Sequence, residues 1–208
     1  ETLKMSGNAL TDLSALSNLT YLKELDVSYN SVTALSPLSG LTNLTSLNAE
    51  NNKVSTLGSL GSLNKLTSLK LGYNALTDVS ALSGCTALTE LDISNNQLTD
   101  ISSLSALTGL RNLDISYNGV TALPSFPVGS ALYEVLASYN SITDISGLAE
   151  LDSLSQVDLD YNTELEDISA LESCYALAEL NVYGTKVTNV ATLKERDVIV
   201  NYNPMANS

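Results

Sequence analysis

Tyrosines and acidic residues are the side chains with which this sequence could do chemistry, since its 208 residues include no histidine and only two cysteines. Without histidine, neither a serine-histidine triad nor a histidine-ligated zinc site is available. Asp92 and Asp114 would form a carboxylate pair of the kind that retaining glycosidases hold about 5 Å apart. A repetitive chain, however, produces such pairs without a cleft that excludes water. We therefore expect no enzyme, no catalytic residue and no cofactor.

The acidic residues are also candidates for cation binding. Asp158 and Asp160 share one face two residues apart, where like charges disfavour one another unless a cation or a basic side chain intervenes. Calcium takes oxygen ligands of this kind, but no loop shows a calcium-binding spacing, so we predict no metal site. A solvated acidic face that attracts a basic protein is the favoured interpretation.

The elements that must position these side chains follow from a period of 22 residues. A fixed period in the range of 20–50 residues indicates a solenoid of stacked units. An unpaired buried amide would cost about 1–3 kcal/mol, so the repeated asparagine should bond backbone groups of neighbouring turns. It recurs at Asn8, Asn30, Asn52, Asn74, Asn96, Asn118, Asn140 and Asn162.

The spacing within each 22-residue unit predicts one short strand and one segment that returns the chain to the start of the next strand. Leu91 and Ile93 are spaced two apart and face the core, which directs Glu90, Asp92 and Ser94 to the opposite face. Stacked turns place the strands side by side in a parallel sheet, about 4.8 Å apart. The return segments are rich in serine and small residues, which favours 3₁₀ turns. A serine hydroxyl could cap each turn, and an aspartate two residues earlier should accept backbone N–H groups, as at Asp12, Asp78, Asp100, Asp144 and Asp167.

Three places depart from the pattern. The return segment 123–129 contains two prolines, which predicts an extended path in place of a 3₁₀ turn. Leu136 stands at an outward position where other units have mostly aspartate or asparagine. After Asn162 one residue is inserted, so that Thr185 takes the next asparagine position, and a final strand at 198–200 follows a charged segment at 194–197 that should close this end.

The pattern LxxLxLxxNxLTDIxxL, read from Leu88 to Leu104, resembles the leucine-rich repeat. The repeat length of 22 residues and the Thr-Asp-Ile run are most similar to the internalin-type repeats of bacterial secreted and surface proteins. The resemblance implies an α/β solenoid: a right-handed superhelix with a parallel concave sheet and a 3₁₀ or extended convex side. We expect about nine repeats in one domain over residues 1–204, the first partial and the last shortened, with a tail at 205–208. The resemblance also implies protein binding on the concave sheet.

Charge and hydrophobicity narrow the class of partner. The formal net charge of −14 repels phosphate backbones, so nucleic acid is not expected. No apolar stretch is long enough for a membrane span. The chain begins midway through a repeat, and we expect a mature or trimmed piece whose targeting segment is absent, with further residues or a contact at its first strand. Cys85 and Cys174 fill leucine positions about 20 Å apart, beyond disulfide reach, so we expect two buried reduced thiols.

Tyrosines give the best functional signal, because tyrosine offers a large contact area with few rotatable bonds. Of ten tyrosines, seven fall in two outward columns near the strand ends. We expect Tyr117, Leu136, Tyr139 and Tyr161 to form the centre of a protein-binding face on a monomer. The full set of predicted partner-binding residues is Tyr29, Tyr73, Asp92, Asp114, Tyr117, Leu136, Tyr139, Asp158, Asp160, Tyr161, Tyr183 and Tyr202.

Other functions fit the same composition. A glycan-binding module would stack sugars on tyrosines and flank them with aspartate and asparagine. A structural spacer would hold another domain away from a surface and would bind nothing strongly. An intracellular regulatory protein also remains open, since some phosphatase regulators have similar 22-residue units. A secreted or surface-attached bacterial recognition module is the interpretation that the internalin resemblance favours.

Overall fold

A computed structural model describes residues 1–203 of the chain, and residue 204 and the predicted tail at 205–208 lie outside the described residues. Within these described residues, ten short strands form one parallel sheet in which every strand pairs with its neighbours in the sequence. The strands are β1 (Thr2–Lys4), β2 (Glu24–Asp26), β3 (Ser46–Asn48), β4 (Ser68–Lys70), β5 (Glu90–Asp92), β6 (Asn112–Asp114), β7 (Glu134–Leu136), β8 (Gln156–Asp158), β9 (Glu179–Val182) and β10 (Ile199–Tyr202). This is the predicted solenoid, and the fold class is confirmed.

The register of the sheet follows the sequence period. Leu25 pairs with Leu47 and Leu47 with Leu69, so each inward leucine lies against its equivalent one repeat away. These side chains are buried in one continuous hydrophobic core that runs along the solenoid. Burial of a leucine contributes about 1.5–3 kcal/mol, and a single turn could not bury its own leucines without the turns on either side.

The opposite side of the solenoid carries short 3₁₀ turns, as predicted. They are Ser14–Leu16, Ser36–Leu38, Leu60–Ser62, Ser80–Gly84, Ser102–Ala106, Ser146–Leu148 and Ser169–Ser173. Within residues 1–203, the segment 115–133 has no such turn, as expected from its two prolines. Phe126 is buried there in the position of the usual leucine.

The prediction that serine hydroxyls cap these turns is wrong. At none of the described 3₁₀ turns does the residue at the N-cap make a side-chain capping bond. The aspartate two residues before the serine supplies the cap, because its carboxylate accepts the serine N–H, at 3.1 Å for Asp12 and 2.7 Å for Asp78. Hydrogen bonds from the serine lower the pKa of the carboxyl at Asp12, Asp78, Asp100, Asp144 and Asp167. The predicted role of these aspartates is confirmed.

The asparagine ladder joins each turn to the one before it. The Asn118 side-chain amide donates to the carbonyls of Ile93 in the previous turn and Ile115 in its own turn, both at 3.0 Å. Its Oδ1 accepts the N–H of Leu98, also in the previous turn, at 2.9 Å. The same pattern holds from Asn30 to Asn162. The amides therefore satisfy backbone groups inside the solenoid, as predicted.

The ladder changes at Thr185, where the inserted residue gives a backbone N–H group a different acceptor. Threonine is too short to reach the previous turn, and its hydroxyl donates to Val182 O at 2.7 Å instead. The N–H that an asparagine would have bonded belongs to Leu165, and it donates to Asn162 O at 3.0 Å. The extra residue after Asn162 makes this local bond possible.

The last described turn contains the α-helix Ala191–Glu195. The Arg196 guanidinium donates to the carbonyls of Glu172 at 2.8 Å and Cys174 at 2.7 Å, which ties this turn to the preceding one. The final strand ends at Tyr202, two residues beyond the predicted end. Within the described residues, no helix is long and apolar enough to cross a membrane.

Both cysteines are free and buried, as predicted. The Cys85 thiol donates to Leu60 O at 3.2 Å and the Cys174 thiol to Leu148 O at 3.1 Å. Burial raises the pKa of Cys85 to about 11, so this thiol is protonated at neutral pH and lacks the nucleophilic thiolate.

Candidate functional site

The outward face of the sheet presents the first candidate surface. Strands β1 to β9 make their element contacts with the strands on either side, so within the described residues this face is open. Asp92 on β5 pairs with Asp114 on β6, and Asp114 pairs with Leu136 on β7. Leu136 in turn pairs with Asp158 on β8. One row therefore contains three aspartates with a leucine between the second and the third.

Backbone hydrogen bonds hold these carboxylates in place. The Oδ1 atoms of Asp92 and Asp114 each accept the N–H of the serine two residues later, at 2.9 Å. Asp158 accepts the N–H of Asp160 in the same way, and Asp160 accepts the N–H of Tyr183 at 2.6 Å. The aspartates thus present fixed negative charges and are not freely rotating side chains.

The aspartates are also partly desolvated. Burial, and then the neighbouring Asp92, raise the pKa of Asp114. Burial also raises the pKa of Asp158, with Asp160 and Glu179 adding to the rise, and burial raises the pKa of Asp160. Each of these charges would gain from a basic group, and the predicted repulsion between neighbouring carboxylates is present.

Leu136 lies where two shallow depressions of the sheet face meet. One is lined by residues of β4 to β7 and the other by residues of β7 to β9, and Glu134 and Leu136 belong to both. A half-buried leucine with charged neighbours on both sides provides an apolar contact inside an acidic surface.

The charges on this face are unevenly distributed. Lys70 pairs with Glu90 at 3.3 Å at the boundary between β4 and β5. From β5 to β9 the two outward positions of each strand carry no lysine or arginine, and their acidic members are Glu90, Asp92, Asp114, Glu134, Asp158 and Glu179. Within residues 1–203, no group of three or more carboxylate or thiol side chains is arranged to hold a metal ion.

The tyrosine column forms the edge beside this face, at the point where each strand ends. Its residues adopt left-handed backbone with φ between 52° and 57°, as Tyr29, Asn51, Tyr73, Asn95, Tyr117, Tyr139 and Tyr161. A residue other than glycine pays for this conformation with about 1–3 kcal/mol of strain. The shared backbone geometry gives every side chain of the column the same direction.

Three of the tyrosines stack on one another, and a fourth contacts the end of this stack. The ring centroids of Tyr117 and Tyr139 are 4.4 Å apart with planes at 9°, and those of Tyr139 and Tyr161 are 4.3 Å apart at 19°. Tyr183 meets Tyr161 edge-on at 5.7 Å. The ring of Tyr139 is covered by a neighbour on both faces, so it presents its edge and hydroxyl to solvent.

The structure brings together Asp92, Asp114, Leu136 and Asp158 on the sheet and Tyr117, Tyr139, Tyr161 and Tyr183 at its edge. Tyr29 and Tyr73 stand apart from this stack, separated from each other and from Tyr117 by Asn51 and Asn95. The part of these residues in binding a partner stays a prediction. Glu134 was missing from the predicted set, although the 22-residue period places it in the column beside Leu136.

The prediction that Tyr202 is one of the outward tyrosines near the strand ends is wrong. Tyr202 pairs in register with Val182, which is a fully buried inward position. Its ring packs against the core, and its hydroxyl accepts a hydrogen bond from Lys194 at 2.9 Å. The shortened last turn brings the chain back early, and this shifts Tyr202 from the outward column to an inward one.

Comparison with known proteins identifies the family. One family model, described as Leucine Rich repeats (2 copies), matches residues 1–40 and 86–128, and a second, described as Leucine rich repeat, matches residues 56–98. The matched segments cover more than half of the chain, which belongs to the leucine-rich repeat proteins. No curated protein matches the sequence.

Solved structures show the same solenoid. Internalin C2 from Listeria monocytogenes is 27% identical, with 97% of this chain and 80% of that chain covered and a TM-score of 0.73, so the repeats are internalin-like. A leucine-rich repeat protein of Leptospira interrogans is 22% identical over 98% of this chain and 54% of its own, with a TM-score of 0.84. The plant peptide hormone receptor RGFR1, solved in complex with RGF2, is 18% identical over 98% and 40%, with a TM-score of 0.71. The last two comparisons concern the fold alone.

Proposed function

We propose that this chain is a non-enzymatic recognition module that binds a protein through the concave face of its sheet and the tyrosine edge beside it. Leu136, held between Asp114 and Asp158 on an open sheet, carries the proposal. The residues that dominate binding energy lie near the centre of an interface and are surrounded by contacts that exclude water, and Leu136 has such a central place among its acidic neighbours. The partner should bear basic groups around an apolar contact.

The similarity to internalin C2 supports an extracellular bacterial setting for this module, secreted or attached to a cell surface. Stacking in the tyrosine edge argues against glycan binding at its centre. A sugar stacks on the face of an aromatic ring, and both faces of Tyr139 are covered by the rings of Tyr117 and Tyr161.

The test is a screen of the purified chain against an array of extracellular protein domains, with a glycan array in parallel. A binder would then be titrated against two variants, Leu136→Asn and Asp114→Asn. Both variants should fold like the unmodified chain, since asparagine already occupies the same outward column at Asn48 and Asn181. We expect each variant to weaken binding by about tenfold or more, as loss of a central contact does.

The control is Ala106→Asn, an exposed position on the 3₁₀ turn Ser102–Ala106 of the opposite side. This variant should bind like the unmodified chain. A protein binder that tolerates both sheet variants but loses affinity with the control would place recognition on the other side of the solenoid. Hits on the glycan array alone would contradict protein recognition.

A further inference from the structure

The tyrosine column contains two gaps, at each of which an asparagine stands in place of a tyrosine. Asn51 and Asn95 have the same φ as the neighbouring tyrosines, at 52°, but carry no ring. Neighbouring rings in the stack lie 4.3–4.4 Å apart. Tyrosines separated by one asparagine are two strand spacings apart, about 9.6 Å. We call these gaps the first slot (Tyr29, Asn51, Tyr73) and the second slot (Tyr73, Asn95, Tyr117).

The tyrosines that border the slots are more exposed than Tyr139 and Tyr161, which have another tyrosine ring on either side. Tyr29, Tyr73 and Tyr117 are 62%, 56% and 49% exposed, compared with 41% for Tyr139 and 38% for Tyr161. A ring face that no neighbour covers explains this difference. A planar group placed midway in a slot would lie about 4.8 Å from each ring, nearly the distance that the stack itself uses.

We infer that the two slots each receive an arginine side chain of the partner, whose guanidinium completes the tyrosine stack. This inference deepens the proposed function and rests on it. A guanidinium is planar and cationic, and it is attracted to a tyrosine face within about 6 Å. The chain already uses this contact internally, since the Arg196 guanidinium lies 5.2 Å from the centre of the Tyr175 ring.

The negative charge of this chain favours arginine over an aromatic side chain as the group that enters these slots. The chain has a formal net charge of −14, which favours a cation in any exposed gap of suitable shape. Beside the first slot, Glu50 directly precedes Asn51, and within residues 1–203 its carboxylate pairs with no basic side chain. Its pKa is raised by burial and then by Asp92, and the smaller opposing effect of Lys70 does not cancel this rise, so an incoming cation would relieve an unfavourable charge.

The experiment uses the tripeptide acetyl-Gly-Arg-Gly-amide and its lysine counterpart as probes. They would be titrated into the folded chain with ¹³C-labelled tyrosine rings and followed by NMR chemical shifts. We expect the arginine peptide to shift the signals of Tyr29, Tyr73 and Tyr117, and to leave Tyr139 unchanged. The lysine peptide, which has no planar group, should shift them at least threefold less at equal concentration.

Two opposite variants make the test decisive. In Asn51→Tyr with Asn95→Tyr, the protein's own rings fill both slots, in a conformation that seven tyrosine or asparagine residues of the column already adopt. The arginine-induced shifts should then disappear. In Tyr139→Asn, a new slot opens between Tyr117 and Tyr161, and Tyr161 should begin to respond to the peptide.

Several results would overturn the inference. One is an equal chemical-shift change with the arginine and lysine peptides. Another is a change that persists in the variant with filled slots. A third is a Tyr161 signal that does not shift in Tyr139→Asn. If the double variant failed to fold, the response of the Tyr161 signal expected in Tyr139→Asn would still test the inference. A protein partner that is lost with Leu136→Asn but indifferent to the filled slots would overturn the arginine slots and leave the proposed function standing.

Discussion

Replacement of Asn118 by alanine tests the physical basis of the fold most directly. The carbonyls that its amide bonds each keep another donor: Ile93 O retains Asn96, and Ile115 O retains Asn140. The N–H of Leu98 has Asn118 Oδ1 as its acceptor, and Leu98 is fully buried.

The expected cost of Asn118→Ala follows from this asymmetry. An orphaned buried N–H costs about 1–3 kcal/mol, and the lost amide bonds add about 1 kcal/mol. We therefore expect the free energy of unfolding to fall by about 2–4 kcal/mol. Threonine should not rescue the position, because Thr185 depends on an inserted residue to satisfy the N–H of Leu165.

The measurement is urea unfolding followed by circular dichroism, with Asn8→Ala as the matched control. The Asn8 amide donates only to Met5 O and Ser6 O within its own turn, so its loss should cost less than about 1 kcal/mol. Equal costs for the two variants would refute the claim that bonds between turns give the ladder its stabilising effect. The claim would also be refuted if Asn118→Thr had the same free energy of unfolding as the unmodified chain.

Three further predictions concern a charge, a thiol and a close approach. Asp114→Asn should raise the urea midpoint at pH 7, since burial raises this pKa above its ordinary value of 3.8; the gain should shrink as the pH falls and the folded state of the unmodified chain takes up the proton. Cys85, with a pKa of about 11, should resist a disulfide reagent at pH 8 until denaturant is added, and rapid labelling of the folded chain would contradict its burial. Gly147→Ala should lower the free energy of unfolding by about 1–3 kcal/mol, because a methyl group there would collide with the Pro124 carbonyl. Gly40→Ala, whose added carbon would meet its nearest atom at 3.9 Å, should be nearly neutral.

The sequence by itself determined the architecture, because a period repeated so often leaves few alternatives. The step from Asn96 to Asn118 equals one turn, and the spacing from Leu91 to Ile93 assigns the strand. The register between strands then follows without further information, since each strand pairs with its equivalent one repeat away. One exception could also be predicted, because proline in the segment 123–129 excludes the usual turn for a local reason.

Only the tertiary structure decided how the side chains use this frame. Which atom caps a turn depends on the directions of neighbouring side chains, and the carboxylate of Asp78 took the place predicted for the hydroxyl of Ser80. The position of Tyr202 depended on how early the last turn returns, which no period describes. The tyrosine column was visible as a list of residue types. Its division into a closed stack and two open slots required the distances between rings, since stacking is a property of three-dimensional placement.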